Sequence, residues 1–301
     1  MNIVLKVNKE VQDKMIKYYS DKKRDKEIPY VILQADDNDT VITMYTSGKV
    51  MFQGVSADVD AMMWQEMMGV SKEEVAKQEK LKEMYINCSS VGSDEVGTGD
   101  YFGPIVVSAT FVDKKSQQLL IDLGVRDSKK LTDEKIIEIA PEIIKNIPHV
   151  TFTFTPKDYN KFGITNMNKI KAILHNKALY ILKSRTSNYQ KIVVDQFCPP
   201  NKFYEHINNV PTKVTNITFT THAEDKCLSV AAASIISRFI FLKEMKRLNQ
   251  ELNELVPLGA GDAVDKFGCK IVEKYGISKL NDIAKLNFKN TDKIKESLNI
   301  K

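Results

Sequence analysis

The chain has 301 residues, 43% apolar and 28% charged, a balance that excludes wholesale disorder and leaves room for one large domain or two ordinary ones. Lys and Arg outnumber Asp and Glu by 44 to 39, a net charge of +5, but unevenly: residues 1–85 hold 13 basic and 15 acidic side chains, and the remainder 31 and 24. A net of −2 followed by +7 is a weak pointer to a polyanionic partner for the C-terminal part. No apolar run reaches the ~20 residues of a membrane helix, and MNIVLKVNKE lacks the pattern of a secretory signal. Cys88, Cys198, Cys227 and Cys269 form no CxxC pair, which argues against zinc ribbons and disulfide frameworks. Four buried small hydrophobes in a reduced, cytoplasmic setting are expected instead.

In chain order, residues 1–68 read as a β-α-β-β-β-α unit. NIVLKV is a short strand, and KEVQDKMIKYY sets Val11 and Met15 at helical spacing. YVILQA and TVITMYT alternate as strands, Ser47 and Gly48 turn into KVMFQG, and DVDAMMWQEMMG closes the unit as a helix. Its methionines around Trp64 are expected in the core. Residues 69–84, highly charged with few apolar anchors, read as a linker. From residue 85 strands and helices alternate. YINCSSVGSDEVG and PIVVSATFVD are strands, DEKIIEIAPEIIKNI a helix, VTFTFT a strand, NKIKAILHNKALYILKS a helix and KIVVDQF a strand. VTNITFTT precedes the long apolar helix CLSVAAASIISRFIFLKEMKRLNQEL, and GAGDAVDKFGCKIVEKYG is a glycine loop entering a helix. Such alternation implies an α/β sheet with helical cover over 85–301.

GSDEVGTGDYFGP is the most informative stretch. A Gly-rich loop after a strand raises the dinucleotide-binding fingerprint, but that loop must open a helix, whereas this one leads through Pro104 into another strand. What remains is an acidic pair, Asp94 and Glu95, beside a tight turn. Consecutive strand residues face opposite ways, so the two share a site only if the strand ends or bulges there, a geometry that the glycines allow. Alone, such a pair is more often solvated turn chemistry. Asp195 closes an apolar strand, where α/β folds line their ligand crevices, or else it caps a helix. Glu224 and Asp225 precede the long helix, where capping is the ordinary explanation. The four histidines show no metal-binding spacing, and only His222 lies beside an acidic cluster. Three acidic places without a Ser, Cys or His nucleophile motif point to hard divalent cations and phosphate chemistry.

The runs DEVGTGDYFGP (94–104), DSKKLT (127–132), VVDQF (193–197), AEDKCLSVAAASIISR (223–238), PLGAGDAVD (257–265) and NFKN (287–290) resemble the type 2 ribonucleases H, in the ribonuclease HIII pattern. Gly97-Thr98-Gly99 favours that pattern over the Gly-Arg-Gly of ribonuclease HII. The resemblance implies a ribonuclease H-like catalytic domain over 85–301, with a mixed sheet and helical cover. It implies a small α+β, TATA-binding-protein-like domain over 1–68 that adds substrate affinity. It also implies a monomeric endoribonuclease that cuts the RNA strand of RNA–DNA hybrids with two Mg²⁺ or Mn²⁺ ions, leaving 5′-phosphate and 3′-hydroxyl ends. The implied catalytic and metal-binding carboxylates are Asp94, Glu95, Asp195 and Glu224, the last by counting back from Ser234, with Asp225 the less favoured neighbour. Gly97, Thr98 and Gly99 are the implied readers of the ribose 2′-hydroxyl, and Ser128, Lys129 and Lys130 the implied phosphate contacts, with Lys266 and Lys289 weaker candidates.

Overall fold

The computed structural model describes residues 2–24, 28–37, 39–54, 56–67, 88–125, 131–163 and 166–300. The linker read at 69–84 and the loop residues Ser128, Lys129 and Lys130 lie outside them. The chain divides into two compact units, residues 1–80 and 81–301.

In the first unit, strands β1 (Asn2–Lys6), β2 (Val31–Asp37), β3 (Thr40–Tyr45) and β4 (Lys49–Gly54) form an antiparallel sheet in the order β1-β4-β3-β2. Helices α1 (Lys9–Tyr18) and α2 (Ala57–Met67) complete the β-α-β-β-β-α order of the sequence reading. Alternate residues of the strands, among them Leu33, Ala35, Ile42, Met44, Val50 and Phe52, are buried with the helices, and the other face is left more open. Asn8 starts α1 by accepting the Val11 N–H at 3.0 Å. Trp64 is buried and its indole N–H donates to the Tyr19 hydroxyl at 2.8 Å. The methionines of α2 depart from expectation. Its buried face is Ala57, Ala61 and Trp64, at the i, i+4, i+7 spacing, so Met63 is only half-buried and Met62, on the opposite side, is 60% exposed.

The second unit is built on a five-stranded mixed sheet of β5 (Ser90–Val96), β6 (Ile105–Val112), β7 (His149–Phe154), β8 (Lys191–Asp195) and β9 (Ile217–Thr220). Its order is β7-β6-β5-β8-β9: β5 and β6 form a hairpin extended by β7, and β8 and β9 add in parallel. Helices α3 (Lys114–Asp122) and α4 (Asp133–Asn146) follow the hairpin, and α5 (Pro156–Phe162) and α6 (Met167–Ser184) follow β7. Beyond β8 come α7 (Pro200–His206), a 3₁₀ turn at Ala223–Asp225, and α8 (Leu228–Leu252). The chain ends with α9 (Asp262–Tyr275), the short α10 (Leu280–Ile283) and α11 (Lys289–Ser297). Side chains of α6 pack with Val91, Val107, Ala109 and Val194 on one side of the sheet. On the other, α8 joins Val112 and α4. The apolar run Ile192-Val193-Val194 inside β8, buried on both sides, is what a central position in such a sheet demands.

Gly92 brings α8 close to the sheet. A Cβ there would lie 2.4 Å from Ser229 Oγ and 2.6 Å from the Val230 nitrogen, so any side chain would push the first turn of α8 off β5. A polar seam fixes the same turn: Thr110 donates to the Ser229 carbonyl at 2.6 Å, and Ser90 Oγ lies 2.9 Å from Ser229 Oγ.

Candidate active site

Asp94 and Glu95 sit near the end of β5. Its pairing with β6 runs without a shift from Ser90 with Val112 to Val96 with Val106, so no bulge brings the acidic pair to one face. Ordinary strand alternation prevails, and the two carboxylates go to opposite sides of the sheet. Asp94 turns towards α8. Its Oδ1 accepts the Glu95 N–H at 2.8 Å, the Ser234 hydroxyl reaches its carboxylate, and Ser237 Oγ donates to its carbonyl at 3.2 Å. Glu95 turns towards α6. Its Oε1 pairs with Lys171, and its Oε2 lies 2.7 Å from His175 Nε2.

The surroundings push the two acids apart. Burial raises the Asp94 carboxyl well above the usual carboxylate range, the Glu95 and Glu224 charges add to the rise, and the Glu95 N–H and Ser234 only oppose it. Burial also works against charge on Glu95, but the bonds and charges of His175 and Lys171 together outweigh it and bring its pKa to about 2.

Asp195 ends β8, which pairs with β5 as far as Ser93 with Val194, so Asp94 and Asp195 are the next residues on two adjacent parallel strands. Asp195 Oδ1 accepts the Ala223 N–H at 2.9 Å and so holds the 3₁₀ turn that carries Glu224 and Asp225. That turn is separate from α8, which begins at Leu228 after Cys227 with no side-chain cap, so the capping explanation for the two acids is overturned. Ligand atoms of His222, Glu224 and Asp225 all lie within 4.8 Å of one another.

The structure thus gathers Asp94, Asp195 and Glu224 on the α8 side and places Glu95 on the α6 side. Such a donor set suits a hard divalent cation: the donors are mainly carboxylate oxygens, and a cation would offset the burial, and the lesser repulsion, that hold Asp94 towards its neutral form. Gly97 follows with φ +93°, and a Cβ there would lie 2.1 Å from the Pro104 carbonyl oxygen. Thr98 is half-buried and Gly99 exposed, with nothing within 4 Å of its Cβ direction. Arg238 of α8 grips Asp133 through two bonds of 2.8 Å and so anchors the start of α4. Lys266 and Lys289 are exposed on α9 and at the start of α11. Sequence reasoning missed Lys171 and His175. Their signal was two basic residues four apart on an otherwise apolar helix face.

Comparison with known proteins places this geometry in a family. The ribonuclease HII family matches residues 91–291, and residues 2–81 match a family described as a domain of unknown function. Ribonuclease HIII of Enterococcus faecalis is 40% identical over 303 residues, 99% of each chain. The chain belongs to the ribonuclease HII family and, within it, to ribonuclease HIII. It is therefore a ribonuclease H, an endonuclease of the hydrolase class. Ribonuclease HIII of Lactococcus lactis subsp. lactis is 38% identical, over 97% of this chain and 98% of its own. A crystal structure of Bst-RNase HIII in complex with Mn²⁺ superposes with a TM-score of 0.70 at 34% identity, covering 99% of both chains. Ribonuclease H2 from Pyrococcus horikoshii gives 0.61 at 26% identity and covers 71% of this chain. Among the described residues, no helix is long and apolar enough to cross a membrane.

Proposed function

We propose that this ribonuclease H hydrolyses the RNA strand of RNA–DNA hybrids at a centre of two divalent ions, Mg²⁺ or Mn²⁺, and leaves 5′-phosphate and 3′-hydroxyl ends. The observation that carries the reading is the placement of Asp94 next in register to Asp195 on the two central parallel strands, with the turn that carries Glu224 bonded to Asp195. Asp94, Asp195 and Glu224 would hold the ions from the α8 side, with Glu95 as the fourth carboxylate. When bound, the cations supply an activated water and neutralise charge on the phosphate. The rest belongs to the chain. Ser234 and the Glu95 N–H orient Asp94, and Asp195 holds the turn that presents Glu224.

Gly97, Thr98 and Gly99 would present backbone groups to the ribose 2′-hydroxyl, the group that distinguishes RNA from DNA. Ser128, Lys129 and Lys130 would meet phosphates next to the anchored start of α4. The first unit would add hybrid affinity through its open sheet face. With residues 1–85 at net −2, polar and stacking contacts must matter there more than charge. Monomeric action in the cytoplasm fits the four free cysteines.

The test is cleavage of a long end-labelled hybrid, with the product ends mapped, beside a duplex carrying a single ribonucleotide. Efficient cutting of the hybrid alone, with 5′-phosphate ends, is expected; preference for the single ribonucleotide would overturn the substrate assignment. A chain beginning at Leu81 should show a raised KM with kcat largely retained, because every proposed carboxylate lies beyond that point. A collapse of kcat at unchanged KM would refute the binding role of the first unit.

A further inference from the structure

Lys171 and His175 are one turn apart on α6, and so share a face. Asn166 sets the start of that helix by accepting the Lys169 N–H at 3.1 Å. From this face the two side chains close on the same carboxylate. Lys171 takes Glu95 Oε1, and His175 takes Oε2. His175 is fully buried, with Nδ1 2.7 Å from Ser93 Oγ, so both its ring nitrogens have partners on β5. The clamp also reaches the second carboxylate strand. The Lys171 ammonium lies 4.1 Å from the centroid of the Phe197 ring, two residues past Asp195, and the His175 ring lies 5.4 Å from it. Lys171 and Glu95 are each only 11% exposed at the side chain, so solvent screens the pair weakly.

A glutamate with both oxygens engaged meets a divalent cation only by sharing or surrendering one of them. His175 is fixed from both ends, whereas the Lys171 ammonium is a mobile point charge on a flexible stem. We propose that Lys171 is a positioning residue that competes with the divalent cation for Glu95, so that metal enters the complete centre by displacing this ammonium. The clamp thereby sets the metal affinity of the site. This inference rests on the reading of Asp94, Glu95, Asp195 and Glu224 as a metal centre.

Calorimetric titration of Mn²⁺ into the full chain tests it, using the wild type, Lys171→Met, Glu95→Gln and the double variant. Methionine nearly matches the lysine stem and removes only the competing charge. Lys171→Met should tighten Mn²⁺ binding about tenfold, the scale of one charge-assisted hydrogen bond. In the Glu95→Gln background the same change should shift affinity by less than about twofold, because the competition acts through that carboxylate. Unchanged or weaker binding in Lys171→Met overturns the proposal, and so does an equal gain in both backgrounds, which would reveal a diffuse charge effect. A second measurement needs no variant: acetylation of Lys171 in the intact protein, read by mass spectrometry, should rise on saturation with Mn²⁺, and unchanged reactivity refutes displacement. Asp94→Asn separates the two levels, since wild-type Mn²⁺ affinity in that variant would sink the metal-centre reading itself, whatever Lys171 does.

Discussion

The two faces of the central sheet treat adjacent carboxylates in opposite ways. On the α8 side Asp94 is surrounded by other acids and by hydroxyls, and burial drives it towards the neutral form. On the α6 side, one residue later, Glu95 lies between a lysine and a histidine and is held ionised. The alternation of a regular strand makes the division, because neighbours on β5 cannot share an environment. Pairs of acids whose surroundings drive their pKa values apart are how a site assigns them different work. Among the described residues, Asp94 meets hydroxyls and another acid, whereas Glu95 already has a lysine.

The largest expected effect falls on the α8 face. Asp94→Asn and Glu224→Gln should each lower kcat by about a thousandfold or more, with hybrid binding by the metal-free protein nearly unchanged, because each keeps the shape and removes a charge for the cations. Asp225→Asn should retain most activity. Steady-state kinetics beside a hybrid-binding titration decide this, and a reversed ranking of Glu224 and Asp225 would move the ligand that this turn supplies by one residue.

Stability of the metal-free protein sharpens the comparison, because the two faces should respond with opposite sign. Glu95 has a folded pKa of about 2, below an unfolded value near ~4.3, so its contribution is complete above the unfolded value and fades as pH falls towards 2. Asp94 is raised, so its ionisation costs stability as pH climbs from ~3.9 through its folded value. At neutral pH in a chelator, Glu95→Gln should lower stability by a few kcal/mol, on the order of a broken buried ion pair. Asp94→Asn should raise it. Thermal melts from pH 2 to 8 read both signs, and a fall in both variants would show that the faces do not differ as described.

What was legible beforehand follows from length and periodicity. The strand Lys191–Asp195 and the long helix Leu228–Leu252 carry clear patterns, and the β5–β6 hairpin was forced once the strand-like run IVVSATFV followed the glycines. Helices α5 and α7 have only seven residues each, too few for a period to declare itself. The acidic pair was found, but not its division. The glycines pointed to a bulge, whereas β5 stays regular through Val96 and the irregular backbone begins at Gly97. Lys171 and His175 stayed hidden because their partner is 76 to 80 residues away in sequence, and no local pattern reports such a contact. The capping explanation for Glu224 and Asp225 failed because Asp195 holds the turn before α8 starts, again a long-range bond.

The smallest expected effect lies in the loop beyond β5, where two glycines differ. Gly97 has φ +93°, and a Cβ there would collide with the Pro104 carbonyl, so alanine at that position disrupts the loop and reports nothing about substrate. Gly99 has neither constraint: its φ lies outside the left-handed region and nothing approaches its Cβ position within 4 Å. Gly99→Ala should therefore leave the melting temperature within a degree or two, or raise it slightly, since alanine removes about 0.4–1 kcal/mol of unfolded-state freedom. If the Gly99 backbone meets the ribose, the added methyl stands where the substrate approaches. KM for the hybrid should then rise several-fold with kcat little changed, an effect of about 1 kcal/mol. An unchanged KM at unchanged stability would remove Gly99 from the substrate contact and leave the reading of the 2′-hydroxyl to Gly97 and Thr98.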